Sequence, residues 1–163
     1  MRDQAELDCR VLPVSQVRAR CDVVADGLAC RYRAGRTGRV ARQLVHALAV
    51  AQRVGPLHGS LGSWRATDIV WLVDRWLPEH LRVPDELVFE VPALLIAVFG
   101  HLHEEGLLDP EGLSLDDLSG LVTDRADLLR GRLRRANSAR RVLRPLPRAT
   151  LAPVPAATAR TGT

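Results

Sequence analysis

The densest grouping of chemically capable side chains is HLHEE, residues 101–105, which sets two imidazoles and two carboxylates within five positions. Groups of this kind bind zinc or carry protons in acid–base steps. Successive residues of an α-helix are turned by about 100°, so His101 and His103 point about 200° apart and cannot hold one ion. His101 and Glu105 do share a face, yet they supply two ligands where zinc takes roughly three or four from the protein. His46, His58 and His80 stand in contexts that repeat no ligand spacing. The residues therefore read as an exposed polar patch that closes a helix. Acids at a helix C-terminus oppose the dipole, a small reason to look for a partner there.

Three carboxylate pairs, Asp85 with Glu86, Glu104 with Glu105 and Asp116 with Asp117, are adjacent in sequence, so on a helix the members of each face apart. None stands beside a nucleophile or a phosphate loop, and all read as solvated surface. No Gly-x-Ser-x-Gly elbow occurs. RAGRTGR, residues 33–39, lacks the spacing of a nucleotide loop and reads as a basic break. Cys9, Cys21 and Cys30 fit neither a disulfide framework nor a zinc site, and read as small apolar residues in a reducing cytoplasm. No catalytic residue, metal site or cofactor is expected.

One segment has a function legible in its composition. Arg130, Arg132, Arg134, Arg135, Arg140 and Arg141 fall within twelve residues. That density can bind phosphate backbones without reading sequence and with strong salt dependence. Its bland alternatives are a solubilising tail, or one that folds back on the acidic middle of its own chain.

The charge pattern frames that choice. All 23 basic residues are Arg, and Ala, Leu, Val, Gly and Pro are abundant, which points to a high-GC coding sequence of a bacterium of actinobacterial type. Residues 1–62 carry a net +5, residues 63–128 a net −10, and residues 129–163 nine Arg and no acid. The net +4 thus describes two basic ends around an acidic middle, unlike a uniformly basic nucleic-acid domain.

The elements that must position these groups follow from periodicity. Residues 91–108, VPALLIAVFGHLHEEGLL, are apolar all round after Pro92, as a buried helix is. Pro92 suits its first position and Gly106 a Schellman cap that folds Leu107 back toward Leu102. The apolar run is shorter than the roughly 20 residues a membrane span needs. Val17, Cys21, Val24 and Leu28 predict a helix over 15–32, interrupted by Gly27. Val40, Leu44, Leu48 and Ala51 predict another over 38–54, ended by Gly55 and Pro56. A third is capped by Thr67, buries Ile69, Leu72, Val73 and Trp76, and stops at Pro78, with Trp64 and Trp71 anchoring the core nearby. The last starts in a capping box at Ser114 and Asp117 and carries Leu115, Leu118, Val122 and Leu129, with Gly120 or Thr123 able to bend or restart it.

Three of these stretches, DRWLP (74–78), the core at 91–108 and LSLDDLSGL (113–121), resemble an uncharacterised helical domain of actinobacterial hypothetical proteins. The resemblance covers residues 64–129. It implies an all-α fold, implies no activity, and carries over no functional residue.

Together these readings predict an all-α fold, an irregular bundle of four or five helices around a buried central helix. Residues 1–14 are expected to be poorly ordered, 15–135 to form the helical domain, and 136–163 to be a disordered Arg/Pro/Ala-rich tail whose removal from Arg140 onward costs no stability. The expected function is a non-enzymatic module for contact with a protein partner or a second copy, cytoplasmic and without a membrane segment. The alternative is sequence-independent nucleic-acid binding through the six arginines. A metal-dependent enzyme built on His101 and Glu105 is a distant third.

Overall fold

The computed structural model describes residues 12–31, 35–55 and 60–142, and these form an all-α fold of six helical rods. α1 (Val14–Arg31) and α2 (Arg36–Val54) come first. The third rod joins α3 (Ala66–Trp71), a π-helical turn (Leu72–Trp76) and α4 (Leu77–His80) without a break. The fourth is a 3-10 turn (Asp85–Glu90) running into α5 (Val91–Glu104), and α6 (Leu115–Asp124) and α7 (Ala126–Val142) follow. The sixth rod arises where the last predicted helix divides. Thr123 donates its hydroxyl to the Ser119 carbonyl at 2.7 Å, and Arg125 leaves helical geometry while its guanidinium reaches Asp74 at 3.0 Å. Residues 1–11, with Cys9, as well as His58 and the tail from 143 onward, lie outside the described residues.

α5 is the axis of the bundle and touches α1, α2, α6 and α7. Its Leu94, Leu95, Val98, Phe99 and Leu102 are buried, and Phe99 meets the buried Trp64 edge to face with ring centroids 5.5 Å apart. Gly106 takes φ +66°, Leu107 N–H donates to Leu102 O at 2.8 Å and Gly106 N–H to His103 O at 2.9 Å, the two bonds of a Schellman cap. Ser114 caps α6 by accepting from Asp117 N–H at 3.1 Å. At α3 the cap differs from the one predicted. The helix begins at Ala66, before Thr67, and Asp68 secures the start by accepting from the Arg65 N–H at 2.9 Å. α2 likewise starts at Arg36, inside the stretch expected to be a break.

Gly27 does not interrupt α1; it lets α1 approach α5. A Cβ at this position would lie 2.7 Å from His101 Nε2, so any larger residue collides with an imidazole that is only 5% exposed. That burial corrects the reading of His101 as part of an exposed patch. Only His103, Glu104 and Glu105 stay outside.

Pro78, expected to stop the third helix, is carried through it. Proline removes the N–H that would bond the carbonyl four residues back, here Asp74 O. The π turn sends Leu77 N–H to Leu72 O instead, and the orphaned Asp74 O accepts from Arg132 Nη1. At the end of α4, Arg140 donates to the carbonyls of Pro78 (3.1 Å), Glu79 (2.6 Å) and Leu81 (3.0 Å). Asn137 binds Val83 O at 2.8 Å, and Arg141 pairs with Asp85 at 2.6 Å. The tail boundary at residue 135 is therefore too early. Residues 136–142 are the last turns of α7, held by the chain they fold against.

The 3-10 turn and α5 make a continuous path of 20 residues, Asp85–Glu104, and an 18-residue window within it has mean hydropathy 1.4. By length and composition it reaches membrane-spanning size, beyond what the apolar run alone suggests. Most of its apolar groups are accounted for by packing, since 56% of that window is buried inside the protein.

Leu95→Ala should leave a cavity in the core around α5 and cost roughly 2–5 kcal/mol in chemical denaturation. Arg140→Ala, neutral if residue 140 lay in an unpacked tail, should also destabilise, by about 1–2 kcal/mol, because three carbonyls lose a charged donor. An unchanged midpoint for Arg140→Ala would show that these caps carry no weight.

Candidate functional site

The six arginines singled out by composition do not form one open surface. Arg132 and Arg140 are spent on backbone carbonyls, and Arg141 on Asp85. Arg130 pairs with Asp127 at 2.9 Å and reaches Phe89 O at 3.3 Å. Arg134 stacks over the Phe89 ring, 4.3 Å from its centroid. Arg135 is exposed on the outer side of α7, where it helps wall a shallow groove against α3 and α4. α7 thus lies on the acidic middle of its own chain. The HLHEE side chains diverge as helical geometry requires, His101 inward and His103 outward. Among the described residues no three of His, Cys, Asp and Glu converge to hold a metal ion.

A different set of residues is brought together between α1, α2 and α4. Three helical rows one turn apart, Arg18 and Asp22 on α1, Arg42, His46 and Val50 on α2, and Trp76 and His80 at the end of the third rod, line one cleft of about 680 Å³ that Arg82 completes. Arg42 bridges the two carboxylates of α1, Asp22 at 2.9 Å and Asp26 on its other side. His46 Nε2 lies 3.0 Å from Asp22 Oδ1, so this nitrogen carries the proton and donates it to the carboxylate. His80 Nδ1 lies 3.0 Å from Trp76 O and must donate, since a carbonyl only accepts. The His80 ring stacks on Trp76 at 3.6 Å between centroids, and Trp76 in turn stacks on Trp71 and donates Nε1–H to Ala47 O at 3.0 Å. One wall is therefore locked to α2 and continuous with the core.

The electrostatics follow from these contacts. The hydrogen bond from His46, with the charge of His46 and the bond and charge of Arg42 added, holds the Asp22 carboxyl below its ordinary 3.8 against the opposing effect of desolvation. Asp26 first, and then Asp22, hold the Arg42 guanidinium above its usual range. Arg18 and Arg82 line the same cleft, are exposed, and have no ion pair among the described residues. The cleft is cationic, with one carboxylate already engaged. It can accept an anion, and its carboxylate-backed imidazole can exchange a proton. Among the described residues, no hydroxyl or thiol lines it to serve as a nucleophile.

No family model, curated protein or solved structure matches this chain. The site therefore stands on its geometry. His46 and His80 repeat no spacing because they come from different helices. The signal that was present is the four-residue spacing itself, Arg18 to Asp22, Arg42 to His46 and Trp76 to His80, which marks polar rows on helices whose other faces are apolar.

Because Asp22 holds its proton less tightly in the folded state, the stability it adds is complete above the ordinary value of 3.8 and is lost as pH falls through the lowered value. Asp85, lowered first by the Asn137 amide and then by Arg141, behaves alike. Thermal midpoints followed from about pH 7 to about pH 2 should fall less steeply on the acid side in Asp22→Asn than in wild type. Superimposable acid limbs would show that the pairing with His46 and Arg42 contributes nothing.

Proposed function

We propose that this chain is a non-enzymatic helical interaction module that receives an acidic segment of a protein partner, or of a second copy of itself, in the cleft between α1, α2 and α4. The observation that carries this reading is the distribution of guanidiniums after folding. Those of α7 are largely spent on the chain's own carbonyls and carboxylates, while Arg18 and Arg82 remain exposed beside His46 and His80. A second copy has acids to offer, since residues 83–124 contain no Arg and Glu111, Asp116 and Asp124 are exposed. Binding is favoured over turnover because, among the described residues lining the cleft, none beside the imidazole paired with Asp22 carries a hydroxyl or thiol, and the Cys21 thiol of the adjoining recess is buried.

Sedimentation velocity and titration with poly-glutamate, at about 20 mM and about 500 mM salt, test this directly. Association with poly-glutamate, with itself, or with both is expected at low salt. It should weaken at high salt and in Arg18→Ala/Arg82→Ala. A monomer that ignores poly-glutamate at both ionic strengths sinks the proposal.

A second reading, sequence-independent nucleic-acid binding, rests on Arg134 and Arg135, which face outward on α7. Counterion release gives a log–log salt slope of about −0.9 per phosphate contacted, so engagement of all six arginines would give about −5. With the others committed internally, Arg134→Ala/Arg135→Ala should reduce any slope measured on duplex DNA by about 2, and Arg132→Ala should leave it unchanged.

A further inference from the structure

The cationic cleft does not end at His46. Arg18, His46 and Val50 also line a second recess of about 360 Å³ between α1 and α2, walled by Val14, Val17, Cys21 and Ala49 and by Arg53, whose guanidinium donates to Leu12 O at 2.8 Å. Cys21 and Ala49 are buried, but Val14 is 65% and Val50 48% exposed, so aliphatic side chains stand open at the mouth of the recess. The two spaces form one groove with a charged end and an aliphatic end, joined at Arg18 and His46. Its asymmetry is a requirement on whatever fills it. A purely acidic segment would leave Val14 and Val50 in water, and a purely aliphatic one would cover Arg18 without pairing it.

Resting on the reading above, we infer that the partner segment carries a carboxylate and an aliphatic side chain on the same face. The carboxylate lies against Arg18 and Arg82, where guanidinium forks suit its two oxygens, and the aliphatic group enters between Val14, Val17 and Val50. Val14 and Arg18 are one helical turn apart, about 6 Å along α1, which fixes the separation of the two groups. Side chains four apart on a partner helix, or two apart on an extended segment at about 7 Å, have that separation. Burial of one aliphatic side chain is worth roughly tenfold to a hundredfold in affinity, so the recess has a measurable effect on which acidic segments bind.

The test uses the full chain and four labelled helical peptides, identical except at two positions four apart: Glu with Leu, Glu with Ser, Gln with Leu, and Gln with Ser. Fluorescence anisotropy at low salt should show the Glu/Leu peptide binding at least about tenfold more tightly than either single-group peptide. Val50→Ser, at an exposed position, should remove the advantage of Leu over Ser and leave that of Glu over Gln. Arg82→Ala should do the reverse. Equal affinity for the Glu/Leu and Glu/Ser peptides overturns this inference and leaves the acidic-partner reading standing. Equal affinity for Glu/Leu and Gln/Leu makes the groove merely apolar and overturns both, as does failure of every peptide to bind.

Discussion

The fold depends on how the carbonyls stranded in its third rod find donors. A proline inside a helix removes one N–H, and a helix end leaves several C=O groups without an intrahelical partner. Buried or half-buried, such groups cost free energy unless they are bonded. Here Asp74 O is met by Arg132, and Pro78 O, Glu79 O and Leu81 O are met by Arg140. A guanidinium presents five N–H groups in a planar fork, so one side chain can serve three carbonyls at once, which a lysine could not do with the same preorganisation. The third rod can therefore keep its π turn and its proline, and α7 is fixed in register against it.

That arrangement changes what the charge of the chain means. The nine arginines after residue 128 look like a free cationic tail, but five of the six in α7 serve as caps, ion pairs and a cation over Phe89. Exposed pairs such as Arg36 with Glu86 contribute little by themselves, because water screens them and two long side chains must be held still. Arg42 differs, since it ties Asp22 and Asp26 on α1 to α2 and also orders the carboxylate that orients His46. Among the described residues, Arg18 and Arg82 thus bring two uncommitted guanidiniums to one cleft, beside His46 and His80.

The cleft inherits its rigidity from the core. Trp76 belongs to both, with its indole packed among buried residues, its N–H on Ala47 O and its face under His80. The absence of a side chain at Gly27 lets α1 close on α5 over His101, whose Nδ1 is buried without a hydrogen-bond partner among the described residues. The close packing of α1 on α5 carries the α1 wall of the cleft with it.

The sequence by itself determined whatever is settled within about one helical turn. The stripes of Val40, Leu44 and Leu48 or of Ile69, Leu72, Val73 and Trp76 set the buried faces, Gly106 and Ser114 set their caps, and the eight apolar residues after Pro92 marked the axis of the bundle. These depend on side-chain spacing and backbone sterics, which the chain carries locally. Three things were decided only by tertiary structure. The length of α7 depends on Arg140 finding carbonyls some sixty positions away. The burial of His101 depends on a glycine in another helix. The cleft depends on Asp22, His46 and His80 arriving from three elements. Each is a contact between residues whose separation in sequence says nothing of their distance in space, so periodicity can mark a polar row on one helix but not the meeting of rows from different helices.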